Sequence, residues 1–408
     1  MTCCQPPLAL AYLVALLARR HDIAIHPAGA LDRATPPDDF YLYRPGEVLV
    51  PVAQAELFVA TAARLAIRHV APDGEPEPGD LVRRYLIGAN ADLDTVLDRL
   101  VRAAPEPLRV TPNHVLLTCP RWHLSPDGEP GVAAASFPAA DRGTDGGVTV
   151  AVIDSGLPVG YTANTLLDPV IADTDELESW TYDGTNPVLT FPQGHGSFVA
   201  GVVRQHAPGA RVRSYLAADQ DGVSDEWALG RQIDLALDGG AAVINLSLGT
   251  PSRHDEALLG LSRLAADASG DQGPIVVAAA GNMDTDRRFW PAAAPWAISV
   301  AAVEQTKGGG HPTRASFSDY GHWVDTCALG VDVVSSYEAR PYRTFDGRLR
   351  YFDGAAVWSG TSFAAPRVSA AVAVLRAADP TLSRRDVLDR LRDAPGAIEI
   401  AAIGVYVP

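Results

Sequence analysis

Four segments of the chain carry side chains of the types that do chemistry together. The apolar run Val148–Ile153 leads straight into Asp154-Ser155-Gly156. That places a carboxylate at the carboxyl end of a buried strand, where open α/β sheets gather functional groups. His195 stands between Gly194 and Gly196, and the apolar residues after it begin a helix, so the imidazole sits at a helix start. Val276–Ala280 ends in Gly281-Asn282, a side-chain amide at a second strand end. Ser359-Gly360-Thr361-Ser362 precedes the apolar helix Val368–Leu375. The Ser362 hydroxyl therefore lies at the positive end of a helix dipole. Singly, each piece has a plain structural role: a turn, an exposed histidine, a turn-closing amide, a helix cap. In the chain order Asp, His, Asn, Ser they supply what an activated hydroxyl needs. One group is the nucleophile, one takes its proton, one orients that base, and one donates to an oxyanion.

Bringing four such ends together calls for a parallel sheet. Val148–Ile153, Ala242–Leu248, Pro274–Ala280 and Ala297–Val303 are near-continuous apolar runs separated by helical stretches. That is the pattern of parallel strands covered on both faces, and it predicts an α/β domain over 148–408. The preceding chain has a different texture. Residues 1–36 read as an amphipathic helix, Leu8–Arg20, and a connector. Over 37–119 the predicted order is strand Glu47–Val52, helix Ala55–Arg68, a turn-rich loop Ala71–Gly79, strand Leu81–Ile87 and helix Asp92–Ala103, with strands over Leu108–Thr118. Leu93, Val96, Leu97, Leu100 and Val101 share one face of the second helix. This order fits a small α+β unit of split βαβ type. Residues 120–147, rich in Pro, Gly, Ala, Ser and Asp, read as a linker, and no internal repeat is present.

Composition excludes several function classes. The 408 residues hold 33 Lys and Arg against 49 Asp and Glu, a net charge of −16, and Lys307 is the only lysine. Such a chain repels nucleic acid and anionic membranes, and no basic stripe offsets the charge. Cys3, Cys4, Cys119 and Cys327 lack metal-ligand spacing and are too sparse for a disulfide framework. The apolar run Pro6–Ala18 is shorter than the roughly 20 residues of a membrane span. Arg19-Arg20 follow it rather than precede it, the reverse of a secretion signal. A cytoplasmic location is the resulting expectation, with secretion left open as the alternative.

The region 148–408 resembles the subtilisin-like serine peptidases, the subtilases. Beyond the four segments above, Val243–Gly249, Ala315–Gly321 and Val331–Tyr337 are similar to family segments. The resemblance implies a three-layer fold around a parallel sheet. It implies Ser362 as nucleophile, His195 as base, Asp154 as the group that holds the imidazole's tautomer, and Asn282 in the oxyanion hole. It also implies that an extended peptide pairs with main chain at Ser247, Leu248 and Gly249. Phe198 and Arg367 stand where many subtilases carry histidines, neither of them catalytic. The chemistry uses no cofactor. The short His195–Ala210 segment leaves little room for the family's strong calcium loop, and Asp173-Thr174-Asp175-Glu176 reads as a solvated face rather than a weak calcium site.

Tyr43–Val50 followed by a helix resembles the start of a subtilase propeptide, which implies intramolecular inhibition of the active site. An unrelated binding module is the alternative. The expected function is a serine endopeptidase acting on peptide or protein substrates, without nucleic acid or a membrane span. A maturation protease dedicated to one precursor, with the N-terminal unit as docking module, is a second reading. A non-catalytic binding protein on the same fold is a third, and the four-residue set weighs against it. Asp284 and Asp286 could favour a basic residue before the cleaved bond, with Arg287 and Arg288 placed to neutralise them.

Overall fold

Two periodicities build this molecule: the alternation of strands and the 3.6-residue stripe of the helices that cover them. The computed structural model describes residues 20–30, 33, 35–71, 80–88, 92–118, 128–133, 137, 147–172, 178, 181–183, 186–270, 272–306, 308 and 310–408. All of the helix expected over Leu8–Arg20 except Arg20, the acidic run 173–176 and most of the linker expected over 120–147 lie outside these residues.

The N-terminal unit runs β1 (Ala24–His26), β2 (Tyr41–Pro51), α1 (Ala55–Arg64), β3 (His69–Val70), β4 (Val82–Ile87), α2 (Leu93–Ala103) and β5 (Thr111–Leu117). Its strands order as β5-β2-β4-β3, with β1 pairing β2. Phe58 and Ala62 of α1 and Leu93, Val96, Leu97 and Leu100 of α2 pack on Val48, Val50 and Tyr85 of the sheet. Four of the five residues expected on the α2 face are thus buried, whereas Val101 is 44% exposed at the margin of the stripe. β1 falls in the stretch read as a connector, because three residues are too few to show an alternation.

The following part begins with β6 (Gly131–Val132), β7 (Thr149–Asp154), β8 (Ile171–Ala172), α3 (His195–His206), β9 (Arg211–Leu216), β10 (Val223–Asp225) and α4 (Glu226–Asp238). It continues through β11 (Val243–Leu246), α5 (Ser262–Ala268), β12 (Ile275–Ala279), β13 (Ala297–Glu304), β14 (Thr326–Leu329), β15 (Val333–Ser336), β16 (Pro341–Arg343), β17 (Leu349–Tyr351) and β18 (Ala355–Trp358). α6 (Thr361–Ala378), α7 (Arg384–Arg392), β19 (Ile398–Ile400) and β20 (Gly404–Tyr406) complete it. The main sheet orders as β19-β20-β14-β13-β12-β11-β7-β9-β8 and is parallel from β20 to β8. Alternation along β7 divides the core. Val150 and Val152 face Phe198 and Val202 of α3 and Phe363 and Val368 of α6, while Ala151 and Ile153 face Leu229 and Ile233 of α4. The three layers agree with the expected α/β architecture.

The two parts share a sheet. β10 pairs antiparallel with β5, setting Val223 opposite Leu117 and Asp225 opposite Val115. Phe40, Leu42, Val115 and Leu117 form one core with Val223, Met283 and Phe289. Polar contacts reinforce this seam. Arg253 reaches Asp94 and Asp98 at 2.5 Å each, and Arg44 pairs with Asp225 at 3.0 Å. His114 and Glu226 form a fully buried pair. The Arg253 N–H donates to His114 Nε2 at 2.9 Å, so that nitrogen is the acceptor and Nδ1 carries the proton toward Glu226. Among the described residues no helix is long and apolar enough to cross a membrane.

Candidate active site

Asp154 ends β7, Asn282 follows β12 of the same parallel sheet, and His195 and Ser362 lie at the starts of α3 and α6. Asp154 Oδ1 lies 2.7 Å from His195 Nδ1 and also accepts the Ser155 N–H at 2.7 Å. Both side chains are fully buried. A close backbone approach makes this pair possible. A Cβ on Gly196 would lie 2.4 Å from the Gly156 carbonyl oxygen, so only glycine lets α3 come so near the β7 exit. The His195 ring is packed by Trp358 and Phe363, with centroids 5.7 and 5.3 Å away. With Nδ1 donating to a carboxylate, Nε2 is the nitrogen available to take a proton.

Ser362 is the second residue of α6. Asn282 is oriented by the same helix start: its Oδ1 accepts from Thr361 N at 2.8 Å and from Thr361 Oγ1 at 3.0 Å. A backbone N–H can only donate, so the amide oxygen faces Thr361 and the amide's two N–H bonds face away. Asp319 steadies the loop, accepting from Met283 N and Thr285 N at 2.8 and 3.1 Å. Burial pushes the Asp319 carboxyl well above the usual range.

The expected substrate edge is already paired. Leu117 and Gly249 exchange two backbone hydrogen bonds of 3.1 Å, and Thr118 N–H donates to the Gly222 carbonyl at 3.1 Å. The Thr118 carbonyl oxygen consequently lies 3.1 Å from Ser362 Oγ, and the Ser247 carbonyl lies 3.3 Å from it. The Leu248 side chain is buried in the core. Ser247 Oγ instead donates to the Ser362 carbonyl at 2.9 Å. Asn245 and Ser369 extend that bond into a buried chain that fastens β11 to α6. Asp284 pairs with Arg314 at 2.8 Å rather than with Arg287. Arg287 donates to the carbonyls of Phe40 and Ser252, which removes it from the role of neutralising Asp284.

Asn245, Ser369, Trp358 and Glu178 escaped the sequence reading, because single polar or aromatic residues carry no local pattern. Glu178 accepts from Gly194 N at 2.9 Å, and its own N–H donates to the Leu157 carbonyl at 2.9 Å. It thereby ties the β7 exit to the residue just before His195. Burial, and next the nearby Glu338 carboxylate, push its carboxyl well above the ordinary range, favouring the neutral form. Glu178→Ala is expected to strand the Gly194 donor and lower stability by about 1–3 kcal/mol. Glu178→Gln keeps an acceptor and is expected to melt close to wild type. Thermal unfolding of the two variants checks the pair of outcomes.

The geometry has counterparts. The Subtilase family, Peptidase_S8, matches residues 145–395. A thermophilic serine proteinase of Bacillus sp. (strain AK1) is 33% identical over 270 residues, 64% of this chain and 59% of that protein's length. Subtilisin BL of Lederbergia lenta is 30% identical over 287 residues, 68% of this chain and 93% of the relative. Among solved structures, fervidolysin from Fervidobacterium pennivorans, a keratinolytic enzyme related to subtilisin, superposes with a TM-score of 0.60 at 21% identity. The superposition covers 86% of this chain and 57% of that one, and it shows a shared fold. The subtilisin relatives are secreted extracellular proteases, which overturns the expectation of a cytoplasmic location. That expectation rests on charge order around Pro6–Ala18, which lies outside the described residues. Matched over more than half its length, the chain belongs to the subtilase family.

Proposed function

We propose that the chain is a serine endopeptidase that hydrolyses extended peptide segments. Ser362 attacks the scissile carbonyl, His195 takes its proton and later delivers it to the leaving amine, and Asp154 holds the imidazole in the required tautomer. The Asn282 amide and the Ser362 N–H stabilise the tetrahedral oxyanion. The substrate adds as a strand between Gly249 and the Gly222–Val223 edge. No cofactor enters these steps. The observation that carries this reading is the pairing of Leu117 with Gly249, which holds a peptide carbonyl 3.1 Å from the Ser362 hydroxyl in strand geometry.

The same observation supports intramolecular inhibition, because the occupying strand is β5 of the N-terminal unit. The direct test is intact mass after exposure to a fluorophosphonate probe, with Ser362→Ala alongside. A single adduct on wild type and none on the variant is the expected result. An unlabelled wild type, even after proteolytic removal of the N-terminal unit, would contradict the peptidase reading. His114→Ala leaves Glu226 buried without its imidazole, which destabilises the seam that seats β5. Labelling of the uncut variant is therefore expected to run about tenfold faster or more than wild type.

A further inference from the structure

The chain returns beside the strand that leads to the nucleophile. β6 pairs antiparallel with β18, Val132 opposite Ala356 and Gly131 opposite Val357. β18 ends at Trp358, four positions before Ser362. The Gly128 carbonyl accepts from Trp358 Nε1 at 3.0 Å, and that indole stands edge-on to the His195 ring. Glu129 accepts from Tyr342 Oη at 3.0 Å and Phe345 N at 2.9 Å, while Arg350 donates to the Pro130 carbonyl at 2.6 Å. Tyr342 and Arg350 pair across the β16–β17 hairpin, so the hairpin grips this segment from outside. Burial pushes the Tyr342 phenol well up, which keeps it protonated and donating. Gly131 is closely fitted as well: a Cβ there would lie 2.9 Å from Val357 Cγ1.

Chemistry assigns this half of the groove. The leaving amine must receive its proton from His195, so residues after the scissile bond lie on the imidazole side. Gly128 is one indole away from that ring. We propose that Gly128–Val132 is a resident strand in the leaving-group half of the groove, anchored through Glu129, which makes the enzyme select substrates with few residues beyond the scissile bond. The inference rests on the peptidase reading above. Nine residues, 119–127, separate Thr118 from Gly128. Cutting within them breaks the covalent link between the N-terminal unit and the catalytic chain, so the unit can be separated while β6 keeps its own anchors. One strand edge cannot pair with β6 and with a substrate at the same time.

The test introduces a specific protease site within 119–127 in wild type, Glu129→Ala and Arg350→Ala, cuts each protein there and separates the N-terminal unit from the rest. Two substrates sharing one acyl sequence are compared: a peptide anilide, and a quenched fluorescent peptide that continues several residues past the bond. Glu129→Ala is expected to raise kcat/KM for the long peptide on the order of tenfold relative to the anilide. Arg350→Ala is expected to move the ratio in the same direction. An unchanged ratio in both variants overturns the proposal. Fluorophosphonate labelling separates the two ways of failing. Label with an unchanged ratio sinks this inference alone, and no label in any version sinks the peptidase reading together with it.

Discussion

Ser362→Ala is expected to lower turnover by about 10⁶-fold, the size of effect known for loss of the nucleophile in subtilisin, a member of the same family. The reason lies in the interdependence of the site. His195 is oriented by Asp154 at 2.7 Å, but a base without a hydroxyl to deprotonate accelerates nothing. Adding His195→Ala to Ser362→Ala is consequently expected to cost almost nothing further, because the residues act as a unit. Steady-state kinetics on a chain freed of its N-terminal unit reads both effects. A double variant much slower than Ser362→Ala would mean that His195 works with some other nucleophile. The unfolding midpoint should stay near wild type, since the substitution removes a single hydroxyl whose acceptors are the Thr118 and Ser247 carbonyls.

Asn282→Ala is expected to reduce kcat by roughly 100- to 1,000-fold with little change in KM, a range the subtilisin oxyanion hole itself defines. The amide's N–H bonds strengthen only as negative charge develops on the carbonyl oxygen, so ground-state binding does not use them. The orientation is set in advance. Thr361 holds the amide oxygen through two hydrogen bonds, and Asp319 holds the loop that follows. A fall in kcat accompanied by a rise in KM would point instead to a collapsed loop. Titrating the variant with the fluorophosphonate distinguishes the cases, because a collapsed loop would also disturb Ser362 at the start of α6.

The site groups were legible in the sequence where local physics marks them. Asp154 follows a run of apolar residues, because a parallel strand buried on both faces is written as one. Gly194 and Gly196 flag His195, since the close approach to Gly156 admits no side chain. The strands over 149–154, 243–246, 275–279 and 297–304 lie within or one residue beyond the expected runs, for the same reason. Glu178 and Glu129 had no such marker. Each is one carboxylate whose role comes from a partner at Gly194 or Tyr342, and neither partner leaves a periodic trace around it. The two-residue strand β6 and the three-residue strands β1 and β10 are too short for alternation to register.

What the sequence determined by itself is the set of functional groups and their order: a carboxylate, an imidazole, an amide and a hydroxyl, each at the end of a strand or the start of a helix. These depend on neighbours within a few positions, and local hydrophobic patterning and glycine placement specify them. The tertiary structure alone decided what occupies the groove. β5 enters between β10 and Gly249, and β6 takes the edge of β18, pairings that join residues more than a hundred positions apart in chain. Backbone hydrogen bonds make these contacts, and every residue carries the same donor and acceptor whatever its side chain.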